Sequence, residues 1–457
     1  MSVSRLPLEV IEVPAGSLPS YVDHRTASAI WARFDNGPDL SIERGRERCY
    51  PGLAGEAPPT LPLYERAVAE LGQATRGQVT RILDAGCGAG GGARLLAQNG
   101  YQVVGIDKSD DAIRFARQVA PSAKLIAGDL SFPQVVGTVD AALVIDLLGQ
   151  VRVTEAVLFT LRALVPAGRP VFISEARAHS AQFLKAPARR AFTRSSLVTL
   201  LTISGYELVR FVDVEGSFLT CIATPFAGDG WDSLRQGHIA LAAGQHAAAL
   251  GHFEHARSST RAAVRLEGAL GEAECHVELR NGDGAVAACF RARELAENDA
   301  RPLALLSRIS LLIGDLMKAR ELAQAAVRLD GADVSAACAN AAVADRLTRV
   351  YGETSLSFAK NRWLCASNLA PDSFDIALHL ADAACAAGDA ALAVWALERV
   401  RSYGEDNGVA MHVALGSALL VSGRSADALL EARLAQGIAP FDEAVTALVR
   451  DIENARA

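Results

Sequence analysis

The sequence predicts an α/β fold, followed by an all-α array of helical repeats. The α/β part is a parallel sheet covered by helices on both faces and closed by an antiparallel hairpin. Three observations predict this. Between residues 61 and 225, short apolar runs rich in Val and Ile alternate with helix-like runs, which implies a parallel sheet. A burst of glycines follows the first apolar run, where a strand must turn sharply into a helix. After residue 230 the strand-like runs stop. The glycines Gly244, Gly282, Gly314, Gly352, Gly388 and Gly423 then recur 38, 32, 38, 36 and 35 residues apart, the period of a helix-turn-helix repeat.

Taken in order, residues 1–60 are rich in Pro, Gly and charge, with scattered aromatics Tyr21, Trp31, Phe34 and Tyr50. They read as an irregular arm with short helices that covers the cofactor site. LYERAVAEL, from Leu63, is helix-like. VTRILDAG reads as a strand and ARLLAQNG as a helix; YQVVGID is a strand and SDDAIRFARQVA a helix. AKLIAGD, VDAALVID and RPVFISEA are three further strands, with helical stretches between the last two. FTRSSLVTLLTISG is a helix, and YELVRFVDVEG with FLTCIATP forms the closing hairpin around residues 206–224. The domains are therefore expected at 1–60, 61–228 and 229–457.

Composition narrows the function classes. A chain of 457 residues, half of them hydrophobic, is long enough for two or three domains. The net charge of −7 argues against nucleic acid, because phosphate binding needs a basic surface. The acidity lies in the second half: residues 1–228 carry 23 basic and 22 acidic side chains, residues 229–457 carry 22 and 30. The usual meaning is a solvated helical surface. None of the eight cysteines pairs at CxxC spacing or clusters with histidine, so buried thiols fit better than a metal site or disulfide framework. The N-terminus lacks an apolar run of signal-peptide type, and no run reaches the length of a membrane span. A cytoplasmic protein is expected.

The stretch RILDAGCGAGGGARLLAQNGYQVVGID, residues 81–107, carries the chemistry. A strand entering glycines and then a helix N-terminus makes a cofactor cradle: the backbone approaches closely, and free N–H groups and the helix dipole face the ligand. Gly86, Gly88 and Gly91 satisfy the bare G-x-G-x-x-G of dinucleotide enzymes, a weak signal alone. An NAD enzyme would need a second catalytic domain, and the rest of this chain is helical. Asp84-Ala-Gly86-Cys87-Gly88-Ala-Gly90 resembles motif I of the class I S-adenosylmethionine-dependent methyltransferases. The resemblance covers roughly residues 61–225, through VDAALVIDLLGQV, LVPAGRPVFISEA and the terminal hairpin. It implies a Rossmann-like, seven-stranded methyltransferase fold with S-adenosyl-L-methionine as cofactor. It also implies that Asp107 accepts the ribose hydroxyls and that Asp129, after the third strand, sits beside the adenine amino group. Lys108, Leu130 and Asp146 join the expected cofactor-binding set. RERCYPGLAGE (46–56) loosely resembles the Glu-Arg-Tyr-x-Pro-Gly leader of some family members near glycan-biosynthesis enzymes, with Cys49 intruding.

Where many relatives end the fourth strand in Asp-Val-Leu-Glu-His, this chain reads Asp146-Leu-Leu-Gly149-Gln150, so Glu and His are missing. His179, just past the fifth strand, is the candidate general base, and Glu175 at the end of that strand is its rival. Positioning alone, without a protein base, is a further reading. Lys185, Arg189, Arg190 and Arg194 gather in KAPARRAFTR, where an anionic acceptor could bind; the alternative is a solvated helix face.

In the helical half, an alanine follows the glycine by five residues at Gly244/Ala249, Gly314/Ala319, Gly388/Ala393 and Gly423/Ala428; Gly282 and Gly352 fit loosely. Leu415 and Gly416 stand eight and seven residues before Gly423, and Leu306 and Leu380 fill the leucine slot. The pattern resembles tetratricopeptide repeats, which implies six repeats that bind a partner protein or dimerise; a plain α-helical bundle is the alternative. His238, His246, His252 and His255 lack the cysteine or acid partners of a metal set. The leading reading is a methyltransferase acting on a sugar hydroxyl or other small-molecule acceptor. A protein or peptide acceptor presented by the repeats, and a non-catalytic scaffold that keeps the cofactor fold, are the alternatives.

Overall fold

Burial on both faces is what the near-continuous apolar runs of the first half demand, and the central strands satisfy it. The computed structural model describes residues 60–75, 80–132, 137–151, 153–177, 192–212, 218–352, 355–402 and 408–456. The expected arm over residues 1–60 lies outside them, apart from Thr60, and so does the leader-like stretch 46–56. The described residues form two compact units that divide between Glu272 and Ala273.

In the first unit the elements alternate as α1 (Leu61–Thr75), β1 (Arg81–Ala85), α2 (Gly91–Gln98), β2 (Gln102–Asp107), α3 (Asp110–Val119) and β3 (Lys124–Ala127). Then come β4 (Ala141–Ile145), α4 (Thr154–Leu164), β5 (Val171–Ala176), α5 (Arg194–Ile203), β6 (Tyr206–Val212) and β7 (Phe218–Pro225). The seven strands lie in the order β3-β2-β1-β4-β5-β7-β6. The first five are parallel, and β7 runs antiparallel to both β5 and β6. The terminal hairpin read from the sequence therefore inserts its second strand next to β5.

Side chains alternate between two cores, one on each face of the sheet. Ile82, Leu143 and Phe172 join Ala67 and Leu71 of α1, Leu96 of α2 and Ile113 of α3. Leu83, Val144 and Ile173 join Leu158 and Leu161 of α4 and Leu197 and Leu201 of α5. Local signals set the helix starts. Ser109 accepts a hydrogen bond from the Ala112 N–H at the head of α3, and Asp110 and Asp111 complement the dipole there. Thr193 and Ser196 form a reciprocal capping box on α5.

Thirteen helices follow among the described residues, from α6 (Trp231–Ala242), α7 (His246–Ala256), α8 (Ala262–Glu278), α9 (Gly282–Leu295), α10 (Arg301–Ile313) and α11 (Leu316–Leu329) to α12 (Val334–Tyr351) and α13 (Leu356–Leu369). They close with α14 (Phe374–Ala386), α15 (Ala390–Ser402), α16 (Val409–Val421), α17 (Ser425–Ile438) and α18 (Glu443–Arg456). The turn between the two helices of each pair is made by a residue with positive φ: Gly244, Arg280, Gly314, Gly352, Gly388 and Gly423. This corrects one position of the repeat. Gly282 does not make its turn; it begins α9, and Arg280 (φ 57°) takes the left-handed conformation. Counted on the turn residues, the spacing becomes 36, 34, 38, 36 and 35, more regular than the glycines suggest. The alanines five residues on, Ala249, Ala285, Ala319, Ala393 and Ala428, are fully buried. No described helix is long and apolar enough to cross a membrane.

Within the first unit, the start of α6 and the segment after α7 fasten to α4, α5 and β6. The Trp231 indole N–H donates to the Ile203 carbonyl, and the Arg162 guanidinium stacks 3.9 Å from the Trp231 ring while donating to the carbonyls of Gly205 and Phe226. Arg261 pairs with Glu207 of β6, and Asp229 accepts from the backbone and hydroxyl of Thr260.

Candidate functional site

In an open parallel sheet the ligand crevice lies outside the carboxyl ends of the strands, where the strand order reverses. Here that place is the junction of β1 with β4. An acid closes or follows each parallel strand at this edge: Asp84, Asp107, Asp129, Asp146 and Glu175.

The loop after β1 is held by its own backbone. The N–H groups of Gly86 and Cys87 both donate to the Ile106 carbonyl of β2, at 2.8 and 3.1 Å. Gly86, Gly88 and Gly90 adopt positive φ of 76°, 51° and 84°. Two of them also lack room for a side chain: a Cβ would lie 3.0 Å from Leu147 Cδ1 at Gly86 and 2.8 Å from Ala116 Cβ at Gly90. Cys87 is buried in the core on the α1 face, so its side chain is part of the packing and only its backbone belongs to the loop. Leu130 is likewise a core side chain.

Asp107 braces the loop. One carboxylate oxygen accepts the Gly88 N–H at 2.9 Å and the other accepts the Ser109 N–H at 2.9 Å. Burial raises its pKa, and these two bonds work against the rise. Each oxygen keeps acceptor capacity, which suits a pair of ribose hydroxyls. Asp129 takes the Ser131 N–H at 2.8 Å and lies 3.4 Å from the Lys108 ammonium.

Asp84 is fully buried. Its Oδ1 accepts a 2.8 Å hydrogen bond from the Tyr64 hydroxyl of α1, and its Oδ2 has no hydrogen-bond partner. Burial pushes its pKa up to about 7, the Tyr64 bond opposes this, and the neighbouring charge of Asp107 adds to it. A buried carboxylate oxygen left without a donor is costly, and a ligand that brings a donor would remove the cost. The sequence reading missed Tyr64. Its helix is legible, but its contact with Asp84 joins residues 20 apart and arises only when α1 covers the sheet.

Glu175, expected as a rival base, has another task. Its Oε1 accepts the N–H groups of Leu147 and Leu148 at 2.9 and 2.8 Å, and its Oε2 accepts that of Gly149 at 3.1 Å. Burial pushes its pKa up to about 8, the Asp146 charge adds to this, and the three N–H bonds oppose it. A fully buried carboxyl with both oxygens committed to backbone is an anchor for the loop after β4. That loop starts at Asp146 in a left-handed conformation (φ 52°), a strained state for a non-glycine residue. The Gln150 side chain donates to the Asp146 carbonyl at 2.6 Å and fastens the same loop. His179 lies outside the described residues, as do Lys185, Arg189 and Arg190. Arg194 begins α5 with its guanidinium 5.0 Å from the Phe211 ring of β6. Among the described residues no three His, Cys, Asp or Glu side chains gather as a metal site would require.

A parallel sheet with a glycine cradle after β1, an acid on β2 and a closing antiparallel strand beside β5 defines a Rossmann-like cofactor domain. Residues 82–168 match the family model described as a methyltransferase domain. No curated protein matches the chain by sequence. Among solved structures, it is similar to an amino pentose methyltransferase of calicheamicin biosynthesis from Micromonospora echinaspora, with S-adenosylmethionine bound (16% identity, 36% of this chain and 91% of that one, TM-score 0.32). It is also similar to the N-methyltransferase NodS from Bradyrhizobium japonicum, in complex with S-adenosylhomocysteine (18% identity, 41% and 99%, TM-score 0.34). A third is magnesium protoporphyrin IX methyltransferase from Synechocystis (18% identity, 45% and 94%, TM-score 0.30).

Proposed function

We propose that this protein transfers a methyl group from S-adenosylmethionine to a small-molecule acceptor, with a sugar hydroxyl of a glycan or natural product as the leading candidate. The tetratricopeptide-like repeats bind a protein partner or a second copy of the chain. The observation that carries the reading is the cradle itself: a buried Asp84 with one unpartnered oxygen beside an Asp107 braced by the Gly88 N–H.

When bound, the cosubstrate supplies a methyl carbon already activated by a sulfonium charge. The chain's residues bind and orient. Asp84 offers Oδ2 to the ammonium group and Asp107 offers both oxygens to the ribose diol, while Gly86, Gly88 and Gly90 keep the loop low enough for close approach. Asp129 faces the adenine side and Asp146 the acceptor entrance. Glu175 holds the wall of the acceptor side by fixing residues 147–149. The proton released by a hydroxyl acceptor goes to water or to His179. Placing acceptor and methyl group in line supplies much of the rate, up to several kcal/mol.

Calorimetric titration with S-adenosylmethionine and S-adenosylhomocysteine, on wild type and Asp107→Ala, tests the reading. Micromolar binding that the substitution abolishes supports it, and an acceptor screen with labelled methyl donor follows. Absence of binding to either ligand overturns it.

A further inference from the structure

Tyr64 stands outside the glycine motif and outside the segment that matches the methyltransferase model, yet it reaches the foot of the cradle. Its hydroxyl donates to Asp84 Oδ1 at 2.8 Å, both side chains are buried, and the second carboxylate oxygen is left without a partner. The approach depends on Gly92: a Cβ at that position would overlap the Tyr64 ring. Gly92 does not have a positive φ, so its backbone has no need of glycine. What glycine provides there is space for the tyrosine.

We propose that Tyr64 is a cofactor-positioning residue: by engaging one oxygen of Asp84 it orients the carboxylate, reserving the other oxygen for the ammonium group of the cosubstrate's amino-acid part. The inference rests on the S-adenosylmethionine reading and extends it to a residue of α1. A carboxylate that already accepts one hydroxyl is fixed in rotation and stays closer to its charged form, which an ammonium partner requires. The Tyr64 bond indeed works against the burial that raises the Asp84 pKa. Gly92 and Tyr64 then act as a pair, the glycine admitting the ring and the ring delivering the hydroxyl.

The test compares two ligands by calorimetry on the full chain. S-adenosylhomocysteine carries the amino-acid part; 5′-methylthioadenosine has the same nucleoside without it. Tyr64→Phe keeps the ring against Gly92 and removes only the hydroxyl. We expect S-adenosylhomocysteine to weaken on the order of tenfold, the worth of one charge-assisted hydrogen bond, with methylthioadenosine unchanged. The pH midpoint of S-adenosylhomocysteine binding should move upward, because Asp84 loses a bond that favours its charged form. Asp84→Asn should show the same selectivity for the ligand bearing the ammonium, and Gly92→Ala should reproduce it by displacing the ring. Equal weakening of both ligands, or an unchanged affinity and pH profile in Tyr64→Phe, would overturn the inference while leaving the cofactor reading intact. Failure of wild type to bind either ligand overturns the cofactor reading and this inference with it.

Discussion

Glycines with positive φ punctuate both halves of the chain, and the two sets differ in what surrounds them. At the cradle, a Cβ on Gly86 or Gly90 would press on Leu147 or Ala116. At the helical turns, Gly244, Gly314, Gly352, Gly388 and Gly423 have nothing within 4 Å of where a Cβ would stand. The cradle needs glycine for conformation and for space; the turns need it for conformation alone. The second repeat makes the point without a glycine, since Arg280 occupies the left-handed turn. One residue type thus serves a crowded binding loop and an open connector, and its replacement should have different costs in each.

Gly90→Ala should produce the largest effect. It adds a left-handed cost of about 1–2 kcal/mol to an overpacking cost of about 1–3 kcal/mol against Ala116, and cofactor affinity should fall with stability. Thermal unfolding with and without S-adenosylhomocysteine measures both. An alanine tolerated at position 90 would erase the distinction between crowded and open glycines.

A second effect concerns the loop that abuts Gly86. The Glu175 carboxyl has a folded pKa of about 8 against an ordinary 4.5, so the folded state holds its proton more tightly than the unfolded state. That contribution is complete below about pH 4.5 and is lost as pH rises through about 8. Wild type should therefore lose stability between pH 5 and pH 8, and Glu175→Gln should flatten part of that slope. Urea unfolding across this range decides it; identical slopes would show that Glu175 is ionised throughout.

Gly314→Ala tests conformation without crowding. The expected cost is the left-handed term alone, about 1–2 kcal/mol, with cofactor affinity unchanged. The smallest effect has the opposite sign. Arg280→Gly relieves a left-handed arginine but adds flexibility to the unfolded chain, an entropic cost of about 0.5–1 kcal/mol. A net gain of at most about 1 kcal/mol is expected, read as a rise in the denaturant midpoint. A loss would mean that the Arg280 side chain contributes packing of its own.

What was legible from sequence follows from local physics. Strand and helix periods, the turn from β1 into glycines and the acids at strand ends are written in neighbouring residues, and so is the repeat length. The left-handed positions were nearly all readable, because glycine is the residue that accepts them cheaply. Where arginine took the turn, the pattern slipped by two residues, since nothing in Arg280 announces its backbone angle.

The sequence by itself thus determined an α/β unit with a glycine cradle and a helical array of regular period, because backbone propensity and hydrophobic alternation act over a few residues. Only the tertiary structure decided which acid does what. Asp84 lies on the sheet face covered by α1 and so meets Tyr64. Glu175 lies in reach of three backbone N–H groups from the loop after β4 and becomes an anchor. It also fastened Trp231 of α6 to the end of α5, and Arg261, between α7 and α8, to Glu207 of β6, within one compact unit that runs to Glu272. A carboxylate's role is set by the donors that crowd it, and those donors come from distant parts of the chain that only folding brings together.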